Sequence, residues 1–136
     1  MYRSIALTML GGLLAVAAGM ATHARAGEAI ADSSLYQDIE RFEDGDASSG
    51  AKLYKRYCRG CHGEDGRGGA HTFMPHIENL TKKGYIEHLT DGYLFLVIAD
   101  GGEAVGKSSY MPAWKVKLDD QAIKDIVTHI RAMPTY

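Results

Sequence analysis

The sequence has 136 residues, of which 46% are hydrophobic and 24% are charged, a length and composition typical of one globular domain. Its 15 lysine and arginine residues are outnumbered by 17 aspartate and glutamate residues, which gives a formal net charge of −2 at pH 7. A net acidic chain is repelled by nucleic acid and by anionic membranes, so we expect neither of them as a partner.

The first 26 residues have the pattern of an export signal. Arg3 is followed by an apolar run from Ile5 to Ala21, and Ala24-Arg25-Ala26 provides a small-residue cleavage site. We therefore predict a cleaved signal peptide over residues 1–26, a periplasmic location and no membrane span in the mature form. The alternative is an uncleaved N-terminal anchor, for which the apolar run is short.

Residues 27–46 form an acidic, polar stretch with few apolar positions. We predict a flexible lead-in segment here, with at most one helical turn packed against the domain that residues 47–136 form. Cleavage of the signal removes Arg3 and Arg25, so 13 basic residues remain against 17 acidic ones and the net charge becomes about −4. That charge favours a protein partner with a basic docking surface.

The first predicted helix runs from Ser48 or Ser49 to Cys58. Serine is a good helix N-cap, and apolar residues recur at helical spacing after it. Gly50 lies inside this helix, where glycine is less favourable than alanine by up to about 1 kcal/mol. A glycine at this position indicates the close approach of another helix.

The sequence Cys58-Arg59-Gly60-Cys61-His62 follows, and a Cys-x-x-Cys-His run is typical of the covalent attachment of a c-type haem. Two thiols one helical turn apart can form thioethers with the two vinyl groups of one porphyrin. The next residue, His62, can then bind the iron. We therefore predict one haem c, held through Cys58 and Cys61, with His62 as an iron ligand.

Two other interpretations use the same cysteines. Structural zinc would combine Cys58 and Cys61 with His71 and His76, although the interval from Cys61 to His71 is short for a zinc finger and rich in glycine. A thiol redox pair is the second alternative. Both cysteines of the chain lie in this motif, so no other thiol competes with them for either role.

Three further helices are predicted after a glycine-rich loop over residues 63–76. They run from Thr81 to His88, from Tyr93 to Ala99 and from Gln121 to Met133. The expected N-caps are Thr81 for the first, Thr90 or Asp91 for the second, and Asp119 or Asp120 for the third. The second helix is expected to end at Gly101 and Gly102. The apolar run of the second helix predicts that it is buried. No alternating strand pattern is present in the sequence, so the predicted fold class is all-α with long loops.

The last irregular stretch contains Tyr110-Met111-Pro112-Ala113-Trp114. Together with the motif that ends at His62, it makes the chain resemble the class I c-type cytochromes, small electron carriers with one haem, over about residues 46–133. The resemblance implies the cytochrome c fold, in which the N- and C-terminal helices cross beside one covalently attached haem. It places Gly50 and Tyr54 at that crossing, with His129 where the family usually has an aromatic residue.

The resemblance also implies the remaining site residues. Met111 fits the family's sixth iron ligand, and Pro75 fits the residue whose backbone carbonyl accepts a hydrogen bond from the imidazole of His62. The alternatives to Met111 as a ligand are Met74, His71, His76 and His88. Trp114 and Tyr110 flank Met111, and they either reach a haem propionate through N–H or O–H or pack as ordinary core aromatics.

An iron with two protein ligands leaves no position for a substrate, and the sequence shows no acid–base cluster, so we predict no enzyme activity. The predicted function is a periplasmic one-electron carrier whose redox partners dock transiently at the exposed haem edge. A haem-carrying electron-transfer subunit of a periplasmic oxidoreductase complex is the alternative. A gas-binding haem sensor, in which Met111 leaves the iron, is a third class of function.

Overall fold

The computed structural model of the chain describes residues 32–68 and 77–136. Four α-helices lie in these ranges: α1 (Ala47–Tyr57), α2 (Arg59–His62), α3 (Asp91–Asp100) and α4 (Asp120–Ala132). Short 3-10 helices cover Ser33–Tyr36, Ile86–His88, Glu103–Val105 and Trp114–Val116. No strand occurs in either range, and the prediction of an all-α fold is confirmed. The predicted export signal and Pro75 lie outside the described residues.

The N-cap of α1 is Asp46 and not one of the serines that follow it. The Asp46 carboxylate accepts hydrogen bonds from the backbone N–H groups of Ser48 at 2.7 Å and Ser49 at 2.9 Å. The prediction of a serine cap is therefore wrong. A carboxylate interacts more favourably than a hydroxyl with the positive end of the helix dipole. The backbone N–H of Asp46 also donates to Asp125 of α4 at 2.9 Å, which ties the start of α1 to the last helix.

Replacement of Asp46 by alanine should lower the free energy of unfolding by about 1 kcal/mol, because two backbone N–H groups lose their acceptor. Ser48→Ala is the matched control, and it should change the free energy by less than about 0.5 kcal/mol. Urea unfolding of the holoprotein, followed by circular dichroism, measures both values. Equal losses in the two variants would contradict the assignment of Asp46 as the cap.

α1 and α4 cross at Gly50. A Cβ atom at this position would lie 1.9 Å from the backbone oxygen of Asp125 and 2.9 Å from Cβ of His129, so only glycine allows the two backbones to approach this closely. The rings of Tyr54 and His129 pack beside the crossing, with 5.3 Å between their centroids. Burial lowers the pKa of His129, which favours the neutral ring in this contact. The close approach predicted for Gly50 is confirmed.

α3 lies in the centre of the molecule, as its apolar sequence predicts. Phe95 and Ala99 are fully buried, and Thr90 accepts a hydrogen bond from the backbone N–H of Tyr93 at 3.0 Å, which makes Thr90 the N-cap. Gly101 ends the helix with a φ of +85°, a conformation that favours glycine. Within residues 32–68 and 77–136, no helix has the length and apolar character needed to cross a membrane.

Part of the lead-in segment packs against α3. Its single helical turn is Ser33–Tyr36, and the ring of Tyr36 lies 4.1 Å from that of Phe95, centroid to centroid. The backbone N–H of Gly92 donates to the carbonyl of Ile39 at 2.8 Å. A Cβ atom on Gly92 would lie 1.8 Å from the backbone oxygen of Tyr36, so this contact also requires glycine. The domain boundaries at residues 26 and 46 stay a prediction.

The helix predicted from Thr81 to His88 is wrong. The backbone N–H and the hydroxyl of Thr81 both donate to the side-chain oxygen of Asn79 at 2.8 Å, so this pair forms a local turn instead of a helix cap. Gly84 has a φ of +76°, which a right-handed helix cannot contain. The helical part is therefore reduced to the single turn Ile86–His88.

Candidate functional site

Cys58 lies at the junction between α1 and α2. Its backbone N–H donates to Tyr54 of α1 at 2.8 Å, and its carbonyl accepts hydrogen bonds from Cys61 at 3.1 Å and His62 at 3.0 Å. The two cysteines are therefore one helical turn apart, and His62 follows on the same turn. Gly63, with a φ of +80°, then reverses the chain. This arrangement directs both thiols and the imidazole into one cavity.

Tyr54 connects the helix crossing to this turn. Its hydroxyl donates to the backbone carbonyl of Gly63 at 2.9 Å, directly after His62. Burial raises the pKa of Tyr54 well above its ordinary value, so the hydroxyl keeps its proton and remains a donor at neutral pH. The contact between α1 and α4 thus fixes the position of the residue that follows the predicted iron ligand.

The cavity has a volume of about 470 Å³, within the range of cofactor sites. Cys58, Cys61 and His62 lie along it, and so do Met111 and Trp114 from the opposite end of the chain. The rest of its wall is largely apolar and includes Leu94, Val97, Ile98, Ile126 and Ile130. Five of the six predicted site residues are therefore brought together in one apolar cavity. Their individual roles stay predictions, and Pro75 lies outside the described residues.

His62 has the protonation state that a metal ligand requires. Burial lowers the pKa of its imidazole, and the backbone of Glu78 opposes this shift. Glu78 does not complete a hydrogen bond, since the buried Nδ1 of His62 has no partner within residues 32–68 and 77–136. A neutral imidazole facing an apolar cavity suits an axial ligand of iron, whereas a protonated one does not.

The Cys58 thiol is buried and keeps its proton at neutral pH. Burial, helped by the neighbouring Cys61, raises the pKa of the Cys58 thiol to about 12. A thioether carries no charge, so covalent attachment of a haem suits this buried position. His71 and His76, which the zinc alternative requires, lie outside the described residues.

Met111 is held by a loop that begins at the end of α3. The backbone N–H of Gly102 donates to the carbonyl of Met111 at 3.0 Å, and the N–H of Lys107 donates back to Gly102 at 2.8 Å. A Cβ atom on Gly102 would lie 2.3 Å from the backbone oxygen of Ser108. Gly102 therefore shapes the loop that presents Met111. Gly102 was predicted only as part of the helix end. A second glycine directly after Gly101 was the signal in the sequence for this additional role in the loop.

Two aromatic residues form one edge of the cavity. The rings of Tyr57 and Trp114 lie 5.3 Å apart, and both residues line the cavity. Trp114 therefore packs beside the site, and the choice between its two expected roles stays a prediction. Tyr110 lines the cavity as well, but 78% of its surface is exposed. Tyr85 and Tyr93 also line it, and nothing in the sequence indicated their place.

The chain matches a known protein family over most of its length. Residues 45–130 match the family described as cytochrome c oxidase, cbb3-type, subunit III. The Cbb3-type cytochrome c oxidase subunit FixP of Bradyrhizobium sp. (strain ORS 278) is 30% identical over 88 residues, which are 65% of this chain and 28% of FixP. The chain thus spans less than a third of that relative's length.

Two further proteins are similar over most of their own length. Cytochrome c6 of Bryopsis maxima is 33% identical over 86 residues, which cover 63% of this chain and 90% of that protein. The structure of cytochrome cL from the marine methylotrophic bacterium Methylophaga aminisulfidivorans superposes with a TM-score of 0.53 at 21% identity, covering 79% of this chain and 71% of that one. This last likeness concerns the fold alone, and it confirms the expected cytochrome c fold.

The family model covers more than half of the chain, and it includes both cysteines of the Cys-x-x-Cys-His run and the loop with Met111. In this family haem c is bound covalently, which agrees with two cysteines one turn apart beside an apolar cavity. The chain therefore belongs to the family described as cytochrome c oxidase, cbb3-type, subunit III, and it is a c-type cytochrome with one covalently attached haem c.

Proposed function

We propose that the chain is a periplasmic one-electron carrier whose haem c has His62 and Met111 as its axial ligands. The observation that carries this proposal is that Cys58, Cys61, His62 and Met111 all line the same apolar cavity. The neutral state of the buried His62 supports its role as a ligand. The tie between Met111 and Gly102 supports the second assignment, because it fixes the loop at the cavity.

The residues around the cavity have distinct tasks in this proposal. Haem c supplies a one-electron couple when it is bound. Cys58 and Cys61 would hold it through thioethers, and Pro75 would accept the hydrogen bond of the proximal imidazole. Trp114, packed on Tyr57, would exclude water from one edge of the site. An apolar wall and a methionine thioether both favour the reduced state, so we expect a positive midpoint potential.

Two protein ligands on the iron leave no position for a substrate, so the proposed role is outer-sphere electron transfer without catalysis. Redox partners would dock transiently at the exposed haem edge, in a small contact typical of redox encounters. A cleaved signal peptide over residues 1–26 would deliver the chain to the periplasm. N-terminal sequencing of the exported protein checks the cleavage site after Ala26.

The similarity to FixP supports a second candidate function. FixP is named as a subunit of a cbb3-type cytochrome c oxidase, and the shared region is 28% of that protein. By this alternative, the chain is a haem-carrying electron-transfer subunit of a periplasmic oxidoreductase complex. Purification of the native protein separates the two candidates, since a subunit elutes with larger chains and a free carrier elutes as a protein of about its own mass, 14.8 kDa before processing.

The Met111→His variant should have a lower midpoint potential than the wild type, by about 0.1 V or more, since a second imidazole favours the oxidised state. The long-wavelength absorption band of the methionine-to-iron bond in the oxidised protein should disappear as well. Met74→His is the control, because Met74 is also followed by proline. Met74→His should leave both the midpoint potential and the absorption band unchanged. If instead Met74→His changes them and Met111→His does not, Met111 is rejected as the ligand.

A further inference from the structure

Two charged residues belong to the otherwise largely apolar wall of the cavity. Among the described residues that line it, only Glu78 and Lys107 are of the aspartate, glutamate, lysine or arginine types. Their side chains pair with each other, with Nζ of Lys107 lying 3.2 Å from Oε1 of Glu78. The Lys107 side chain is 37% exposed and that of Glu78 51%, so the pair lies where the cavity meets solvent. We call this pair the Glu78–Lys107 bridge.

Glu78 belongs to a segment that packs beside His62. The backbone N–H of Gly68 donates to the carbonyl of His62 at 2.8 Å. A Cβ atom on Gly68 would lie 2.8 Å from the backbone oxygen of Ile77, the residue directly before Glu78. Burial lowers the pKa of His62, and the backbone of Glu78 lies close enough to oppose that shift. The segment that carries Glu78 is therefore fixed on the side of the cavity that holds His62.

Lys107 belongs to the loop that presents Met111. The backbone N–H of Lys107 donates to the carbonyl of Gly102 at 2.8 Å, and the N–H of Gly102 donates to the carbonyl of Met111 at 3.0 Å. The N–H of Met111 donates in turn to the carbonyl of Ser108, the residue after Lys107, at 3.2 Å. These three hydrogen bonds fold the loop on itself. A movement of Met111 away from the cavity therefore also displaces Lys107.

The Glu78–Lys107 bridge thus joins the two sides of the cavity. It connects residues 29 positions apart, one from the segment beside His62 and one from the loop with Met111. No other ion pair in the described ranges joins two residues that line the cavity. Lys115 pairs with Asp100 at 2.6 Å, but these two residues lie outside the cavity wall, at the two ends of the loop.

We infer that Glu78 and Lys107 are positioning residues for Met111, because their ion pair holds the loop with Met111 closed over the cavity. The inference rests on the proposed function, in which Met111 is an axial ligand of the haem iron. An exposed ion pair contributes little to the stability of the whole fold. The opening of one loop, however, costs much less free energy than global unfolding, and the opening of this loop breaks the bridge. The bridge therefore affects the loop far more than the fold.

Replacement of Met111 by imidazole in the oxidised holoprotein tests the bridge. Imidazole can bind the iron only after the thioether has left, so the rate at saturating imidazole measures how often the loop opens. Glu78→Gln and Lys107→Met should each raise this rate by about three- to fivefold, the effect expected for one exposed ion pair. Stopped-flow absorbance at the methionine-to-iron band of the holoprotein measures the rate.

Lys124→Met is the matched control. Lys124 pairs with Asp44 at 2.8 Å, and its side chain is 16% exposed, less than that of Lys107, but neither Lys124 nor Asp44 lines the cavity. This variant should destabilise the fold at least as much as Lys107→Met and should leave the imidazole rate unchanged. Glu78→Lys/Lys107→Glu exchanges the two charges, and it should restore the wild-type rate.

The outcomes separate the bridge from the proposed function. Wild-type rates in both Glu78→Gln and Lys107→Met would overturn the inference. A faster rate in only one of them would overturn it as well, because that side chain would then act on another group, which for Lys107 would be a haem propionate. A wild type without the methionine-to-iron band would reject Met111 as the ligand and the bridge with it. A normal band with unchanged rates would reject the bridge alone.

Discussion

Replacing Gly50 by alanine should lower the free energy of unfolding of the holoprotein by about 3 kcal/mol. The added Cβ atom would lie 1.9 Å from the backbone oxygen of Asp125, and neither atom can rotate away. α1 and α4 would have to separate, which loosens the contact between Tyr54 and His129 as well. Alanine is a better helix former than glycine by about 1 kcal/mol, which is too little to compensate for the overlap.

Gly60→Ala is the matched control for this prediction. Gly60 is an exposed helical residue of α2, and a Cβ atom there would meet no atom within 4 Å. This variant should be as stable as the wild type or more stable by up to about 1 kcal/mol, because the loss of backbone entropy on folding becomes smaller. Guanidinium unfolding followed by circular dichroism measures both variants. Similar stabilities for Gly50→Ala and Gly60→Ala would contradict the helix crossing at Gly50.

The features that could be predicted from the sequence depend on residues close together in the chain. The Cys-x-x-Cys-His run needs only one helical turn to place Cys58, Cys61 and His62 together, and the structure has that turn. The α3 cap at Thr90 and the helix end at Gly101 follow from equally local rules. Gly50 was predictable because a glycine inside a helix usually has a packing reason.

The errors arose where two local signals compete or where a distant residue decides. Asp46 and the serines after it are all good caps, and Asp46 is fixed by Asp125, which is 79 residues away. Thr81 has the side chain of an N-cap, but its backbone N–H and hydroxyl both donate to the side chain of Asn79, two residues earlier. The sequence alone does not rank such alternatives, because their difference in free energy depends on tertiary contacts.

The cavity wall could not be predicted for a related reason. The contact between Tyr57 and Trp114 joins residues 57 positions apart, and it forms one edge of the cavity. Helical periodicity identifies Tyr57 only as a residue on an apolar side of α1.

Arg131 also depends on distant residues. It lies in the last turn of α4, where a cation ordinarily interacts with the helix dipole. Its guanidinium instead donates to the Asp91 carboxylate at 2.8 Å and to the backbone carbonyls of Ile86 and Leu89. The second carboxylate oxygen of Asp91 accepts from the backbone N–H of Phe42 at 2.8 Å. This buried pair therefore joins the lead-in segment, α3, α4 and the residues 86–89.

Arg131→Met should lower the free energy of unfolding by about 3–5 kcal/mol, because it leaves the carboxylate of Asp91 buried without its main partner. The Asp91 side chain is 3% exposed and that of Arg131 16%. Arg41→Met removes the other cation that pairs with the Asp91 carboxylate. The Arg41 side chain is 49% exposed, and its Nη1 lies 3.5 Å from Oδ1 of Asp91. This control should cost less than about 1 kcal/mol, since an exposed ion pair is weak.

The two variants should also differ at the site itself. Ile86 and Leu89 line the cavity, and Arg131 holds the backbone carbonyl of each. In Arg131→Met this wall loses its fixed position, so the haem absorption bands should broaden and the midpoint potential should change. In Arg41→Met both should stay as in the wild type. Equal losses of stability in the two variants, with unchanged spectra, would show that burial of the Asp91 pair does not shape the cavity.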